Sequence, residues 1–128
     1  MIYLDTSVAL AHLLAEDRSP PDTLWSESLV SSRLLEYELW TRINARNLVD
    51  SHGEAVRAMI ARVAILELAP AVLTRALEPF PAPVRTLDAL HLASMDFLRS
   101  QHQTVVLASY DNHMTDAAQA MEFDLAPV

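Results

Sequence analysis

A chain of 128 residues, 52% of them hydrophobic, can bury one substantial core and is too short for two ordinary domains, so residues 1–128 are expected to form a single domain. The net charge of −8 excludes nucleic-acid binding driven by the overall field, because phosphate affinity comes largely from counterion release by Lys and Arg, and leaves only local contacts. The absence of cysteine excludes disulfides and thiolate chemistry; all 9 basic residues are arginine, and the absence of lysine excludes P-loop nucleotide hydrolysis and lysine-dependent catalysis.

The chain opens on Met1-Ile2-Tyr3-Leu4, a hydrophobic strand that ends at Asp5 and passes at once into helix-like sequence. A carboxylate there sits at the carboxyl edge of a sheet, where open α/β folds put their chemistry. Asp5 interrupts anything resembling a signal peptide, and His12, Arg62 and Asp88 break the apolar stretches before the roughly 20 residues of a membrane helix. A soluble, cytoplasmic protein with no membrane partner is expected. Thr6 or Ser7 can cap a helix through about Glu16, with Val8, Leu10, Ala11 and Leu14 on its apolar face. The Ser19-Pro20-Pro21-Asp22 turn opens a short helix over Thr23–Ser28, and Leu29-Val30-Ser31 reads as a second strand.

Arg33–Asn47 forms a helix striped by Leu35, Leu39 and Ile43, with Glu38 in its first turns. A helix over His52–Val63 leads into a third strand, Ala64–Leu68, which Pro70 stops. Val72–Leu77 is helical, and Pro79-Phe80-Pro81-Ala82-Pro83 is a stiff connector, because proline fixes its own φ and restricts its predecessor. The helix Thr86–Gln101 then starts from a well-held point with Asp88 in its first turn. Thr104–Ala108 is the clearest strand, Asp111 lies just beyond it, Thr115–Met121 is helical, and Phe123–Ala126 forms a closing edge strand. Strands alternating with helices from end to end predict an α/β fold, a three-layer α/β/α sandwich on a mostly parallel sheet of four to five strands.

Each acid has an ordinary structural role open to it. Asp5 and Asp88 can cap helices, Asp111 suits a turn, and Glu38 can pair with Arg42 one helical turn on. Together they are less ordinary, since two follow strands and two lie in opening helical turns, and right-handed crossovers put such junctions on one sheet edge. Two unit charges about 4 Å apart repel by about 4 kcal/mol at an effective dielectric of 20, so converging carboxylates need a cation between them. With oxygen as the only ligand type and no lysine, Mg²⁺ or Mn²⁺ is the expected occupant.

The five histidines lack zinc-ligand spacing; His91, three residues after Asp88, is expected to support the groove rather than to ligate. Arg42 and Arg46 are candidates for holding a substrate phosphate. Asp116 is a further acidic candidate, and spacing alone does not choose between Glu36 and Glu38.

Four segments resemble PIN-domain proteins, and specifically the VapC type of toxin ribonuclease from bacterial toxin-antitoxin pairs: Ile2–Ser7, Ser32–Leu39, Leu87–Ala93 and Ala108–Asp111. The resemblance spans essentially the whole chain in order and spacing. It places the family glutamate before a leucine-rich helical run, hence at Glu38, and implies that Asp5, Glu38, Asp88 and Asp111 are catalytic metal ligands, with Thr6 as a supporting hydroxyl. Ser109 stands where the family usually has threonine, which keeps a hydroxyl, and Met121-Glu122-Phe123 replaces a region where the family often has glycine. The family pattern further implies Mg²⁺- or Mn²⁺-dependent endoribonuclease activity, homodimerisation, and inhibition by a cognate antitoxin with an arginine-bearing tail. The alternatives are a PIN-like binding module without catalysis and a phosphatase using Asp5 as nucleophile; the latter lacks the lysine such sites need and has Ser7 where a second aspartate belongs.

Overall fold

The structure is a computed structural model that describes residues 1–128. Five strands, β1 (Ile2–Leu4), β2 (Leu29–Ser32), β3 (Ala64–Leu66), β4 (Val106–Ala108) and β5 (Asp124–Leu125), form one sheet in the order β3-β2-β1-β4-β5. All four pairings are parallel, with Tyr3 opposite both Val30 and Leu107. Parallel strands need crossovers, and six helices supply them: α1 (Thr6–Leu13), α2 (Arg33–Ala45), α3 (Val49–Ala61), α4 (Pro70–Ala76), α5 (Thr86–Ser100) and α6 (Asn112–Ala120).

Side chains alternate across a strand, so each strand feeds two cores. Leu4, Leu29 and Ala108 pack with Leu35, Leu39 and Ile43 of α2 and Val56 and Met59 of α3 on one face. Tyr3, Val30 and Leu107 pack with Leu92 and Met95 of α5 and Met114, Ala117 and Ala118 of α6 on the other. The sandwich expected from the alternation of elements is therefore present, with every strand parallel.

The chain moves outward from β1 through β2 to β3, then returns to the other side of β1 for β4 and β5. The order reverses between β1 and β4, and at such a switch point the loops leaving the two strands diverge and open a crevice at their carboxyl ends. Asp5 follows β1 and Asp111 lies just beyond β4, so the topology alone brings two distant carboxylates to one crevice.

Element ends depart from the sequence reading where single residues take unusual backbone. Helix α1 stops at Leu13, not Glu16, and Ala15 has φ 48°. Asn47, at φ 55°, ends the α2 segment, and α3 then starts at Val49, three residues before His52. Helix α6 starts at Asn112 rather than Thr115 because the Asp111 carboxylate accepts hydrogen bonds from the backbone amides of His113 and Met114. The segment before β2 is a 3-10 turn, Asp22–Ser26, and β3 ends at Leu66.

Helix α5, which carries Asp88 and His91, is tied to its neighbours by one carboxylate. Asp96 accepts from Arg75 Nε of α4 at 2.6 Å and from Arg99 at 2.8 Å, while Arg75 lies over the Phe80 ring and Arg99 over Phe123. Burial raises the Asp96 carboxyl pKa, but the two guanidiniums outweigh it and hold it below the ordinary 3.8. A depressed carboxyl pKa contributes stability above the unfolded value, which is lost as pH falls through the native one. Asp96→Asn is expected to lower unfolding stability by about 1 kcal/mol at neutral pH. In urea titrations the gap to wild type should narrow below pH 3.8; a gap independent of pH would contradict the assignment.

Candidate active site

The four acids singled out in the sequence line one open cleft of about 770 Å³ at the carboxyl end of the sheet. Asp5 is buried. Its amide is held by the Ala108 carbonyl at 3.0 Å, which locks it to β4, and its side chain makes no capping bond to α1. Instead Asp5 Oδ2 accepts from Ser7 Oγ and Ser109 Oγ, each at 2.7 Å. The two serines also fix the β4–α6 loop, since Ser7 Oγ accepts from the Tyr110 amide and Ser109 Oγ from the Asp111 amide. Ser109 offers the hydroxyl that the sequence retains at this position; the contact of Ser7 was not anticipated, although its spacing from Asp5 is that of a local side-chain bond.

Glu38 enters from α2, whose start is set by Ser32 Oγ accepting from the Leu34 amide. Glu38 Oε1 accepts from Thr6 Oγ1 at 3.1 Å and from His91 Nε2 at 2.6 Å. His91 is buried, and its Nδ1 lies 2.7 Å from the Tyr3 hydroxyl. Burial disfavours the imidazolium, yet Tyr3, the Glu38 hydrogen bond and the charges of Asp5 and Glu38 outweigh it and raise the His91 pKa. Glu38 forms no pair with Arg42, so its surface ion-pair reading is not realised. Glu36 turns outward to Arg33 at 2.7 Å and lies outside the cleft, which separates it from Glu38.

Asp88 and Asp111 complete the lining and share one guanidinium. Arg85 Nε lies 2.8 Å from Asp88 Oδ2, and Arg85 Nη2 pairs with Asp111 Oδ2. Burial raises the Asp111 carboxyl, but Arg85 and the amides of His113 and Met114 more than offset it and hold it low. The i,i+3 spacing of Arg85 and Asp88 was visible in the sequence; the reach to Asp111 was not.

Of the remaining candidates, Arg42 is exposed and lines the cleft, whereas Arg46 and Asp116 are exposed elsewhere and take no part in it. Arg18 joins the rim unexpectedly, stacked 4.2 Å above the Tyr110 ring. No three of the Asp, Glu and His side chains stand around one ion position. Each acid is turned instead to a hydroxyl, an imidazole or a guanidinium. The donor set is nonetheless wholly carboxylate, which suits a hard divalent cation, and the Arg85 guanidinium already occupies a cation's place between two of the acids.

Fold and cleft together define an α/β protein with carboxylates gathered at the switch point of a parallel sheet. The PIN domain family model matches residues 2–120, and the chain belongs to that family. It is 33% identical to Ribonuclease VapC35 of Mycobacterium tuberculosis over 94% of this chain and 92% of that protein. It is 28% identical to Ribonuclease VapC47 of the same organism, over 96% and 93% of the two chains. No solved structure matches it significantly.

Against the effect of burial, the His91 pKa is raised by Tyr3, by the Glu38 hydrogen bond and by the charges of Asp5 and Glu38, so neutralising Glu38 should remove part of that shift. Titration of the His91 ring by NMR is expected to give a pKa above 6.5 in the wild type and a lower one in Glu38→Gln. A wild-type value below 6.5 would contradict the pairing.

Proposed function

We propose that this chain is a Mg²⁺- or Mn²⁺-dependent endoribonuclease acting as the toxin of a toxin-antitoxin pair. The observation that carries the reading is the meeting of Asp5, Glu38, Asp88 and Asp111, from four separate segments, in one cleft of a chain whose relatives are named ribonucleases.

Asp5, Glu38 and Asp88 would hold the principal ion, and Asp111 would complete the site or help hold a second ion. When bound, such an ion supplies Lewis-acid activation of water and neutralises charge on a departing phosphate oxygen. The chain's own groups prepare for this. Ser7 and Ser109 hold Asp5 Oδ2, and Thr6 and His91 hold Glu38 Oε1, which leaves Asp5 Oδ1 and Glu38 Oε2 as the oxygens that would ligate. Arg42, exposed on the cleft wall without a carboxylate partner, can take a phosphate of the RNA strand. Ionised acids are what ligation requires, and the low pKa of Asp111 keeps it ionised at neutral pH.

The partners follow from the same charges. An arginine-bearing antitoxin tail would neutralise the acids and block the cleft, and the net charge of −8 would speed its approach. Leu73 of α4, Leu77 just after it and Tyr37 of α2 remain exposed and would supply apolar surface for a homodimer. No helix is long and apolar enough to cross a membrane.

Purified protein incubated with RNA and Mn²⁺ is expected to cleave it, with EDTA abolishing the reaction. Asp5→Asn and Asp88→Asn should each reduce the rate by about 100-fold or more. Equal RNA loss in wild type and Asp5→Asn would trace the cleavage to a contaminant and remove support for the enzyme.

A further inference from the structure

Arg85 lines this cleft, and no catalytic role so far explains it. It occupies the position just before α5 in extended backbone, with its guanidinium reaching both Asp88 and Asp111. Its side chain is 56% exposed, against 13% for Asp88 and 26% for Asp111. The cation is therefore the more solvated member of each pair. Ion pairs open to water on one side are weak and readily exchanged.

We infer that Arg85 exchanges partners at the cleft: it holds Asp88 and Asp111 in the cation-free protein, and takes an oxygen of the substrate phosphate once a divalent cation has those carboxylates. The inference rests on the metal-dependent nuclease reading above. A guanidinium and a dication on the same two carboxylates repel each other and compete for the Oδ2 lone pairs that Arg85 uses, so binding of either weakens the other. A dication brings twice the charge to the same oxygens and wins at saturating concentration. The displaced guanidinium remains tethered three residues before Asp88, at the cleft wall, where its planar fork matches two phosphate oxygens. Pairing before displacement also limits the repulsion between Asp88 and Asp111, so the cleft stays ordered in the absence of metal.

Two readouts test this with wild type, Arg85→Gln and Arg18→Gln. Arg18 lines the same cleft but stacks on Tyr110 and pairs with no carboxylate, so its loss changes net charge equally without freeing an acid. Mn²⁺ affinity is measured without RNA, from the free-ion electron paramagnetic resonance signal, and KM is measured for a short single-stranded RNA at saturating Mn²⁺. Arg85→Gln should bind Mn²⁺ about fivefold tighter and Arg18→Gln within about twofold of wild type. The KM of Arg85→Gln should rise by about fivefold or more. A merely structural role would weaken both properties together, so the opposite signs are the signature.

Unchanged or weaker Mn²⁺ binding in Arg85→Gln, or the same gain in Arg18→Gln, overturns the competition. Tighter Mn²⁺ binding with unchanged KM overturns the transfer to phosphate. If the wild type binds no Mn²⁺ at all, the metal-dependent reading itself falls and this inference with it, which separates the two failures.

Discussion

Carboxylates gathered at one end of a small parallel sheet repel one another, and the surrounding side chains are arranged to contain that repulsion. An uncompensated pair about 4 Å apart costs about 4 kcal/mol at an effective dielectric of 20, a large part of the roughly 5–15 kcal/mol that stabilises a typical domain. Each acid is therefore answered locally. Two serine hydroxyls donate to Asp5, Thr6 and a proton-rich His91 serve Glu38, and Arg85 spans Asp88 and Asp111. The neutralising groups come from the same junctions as the acids, so the charge balance is a property of the fold rather than of any one element.

The topology explains why these residues meet. Reversal of strand order between β1 and β4 opens the crevice, Asp5 and the Ser109–Asp111 loop line its two sides, and α2 and α5 bring Glu38 and Asp88. The sheet core reaches into the same network. Tyr3, fully buried within β1, supports His91, which supports Glu38, so a strand residue and a cleft residue share one hydrogen-bond chain. Substitutions in that chain act on stability and on ligand geometry together.

Much of this was written in the sequence. Apolar periodicity located every helix centre and strand, because two cores flanking one sheet demand the helical stripes and strand runs that were read. The four acids stood out because their junctions share one sheet edge. Helix ends were less visible. Ala15 takes φ 48° with no residue-type signal to announce it, whereas Asn47 tolerates the left-handed region and could have marked the α2 end. Direction across distant segments was not visible at all. Arg85 reaches Asp111 over 26 positions and His91 reaches Glu38 over 53, while Arg46 and Asp116, near the right residues in sequence, face elsewhere. Sequence separation gives proximity along an element; only the packed sheet and helices give aim.

On the proposed function Asp5, Glu38, Asp88 and Asp111 would hold the cation, and Arg85 would leave Asp88 and Asp111 when it binds. Anomalous diffraction from crystals grown with Mn²⁺ addresses this directly. A strong peak is expected among Asp5, Glu38 and Asp88, with Asp111 beside it or at a second peak, and the Arg85 guanidinium moved off both of its carboxylates. A map with no peak there and Arg85 still bridging Asp88 and Asp111 at saturating Mn²⁺ would contradict it.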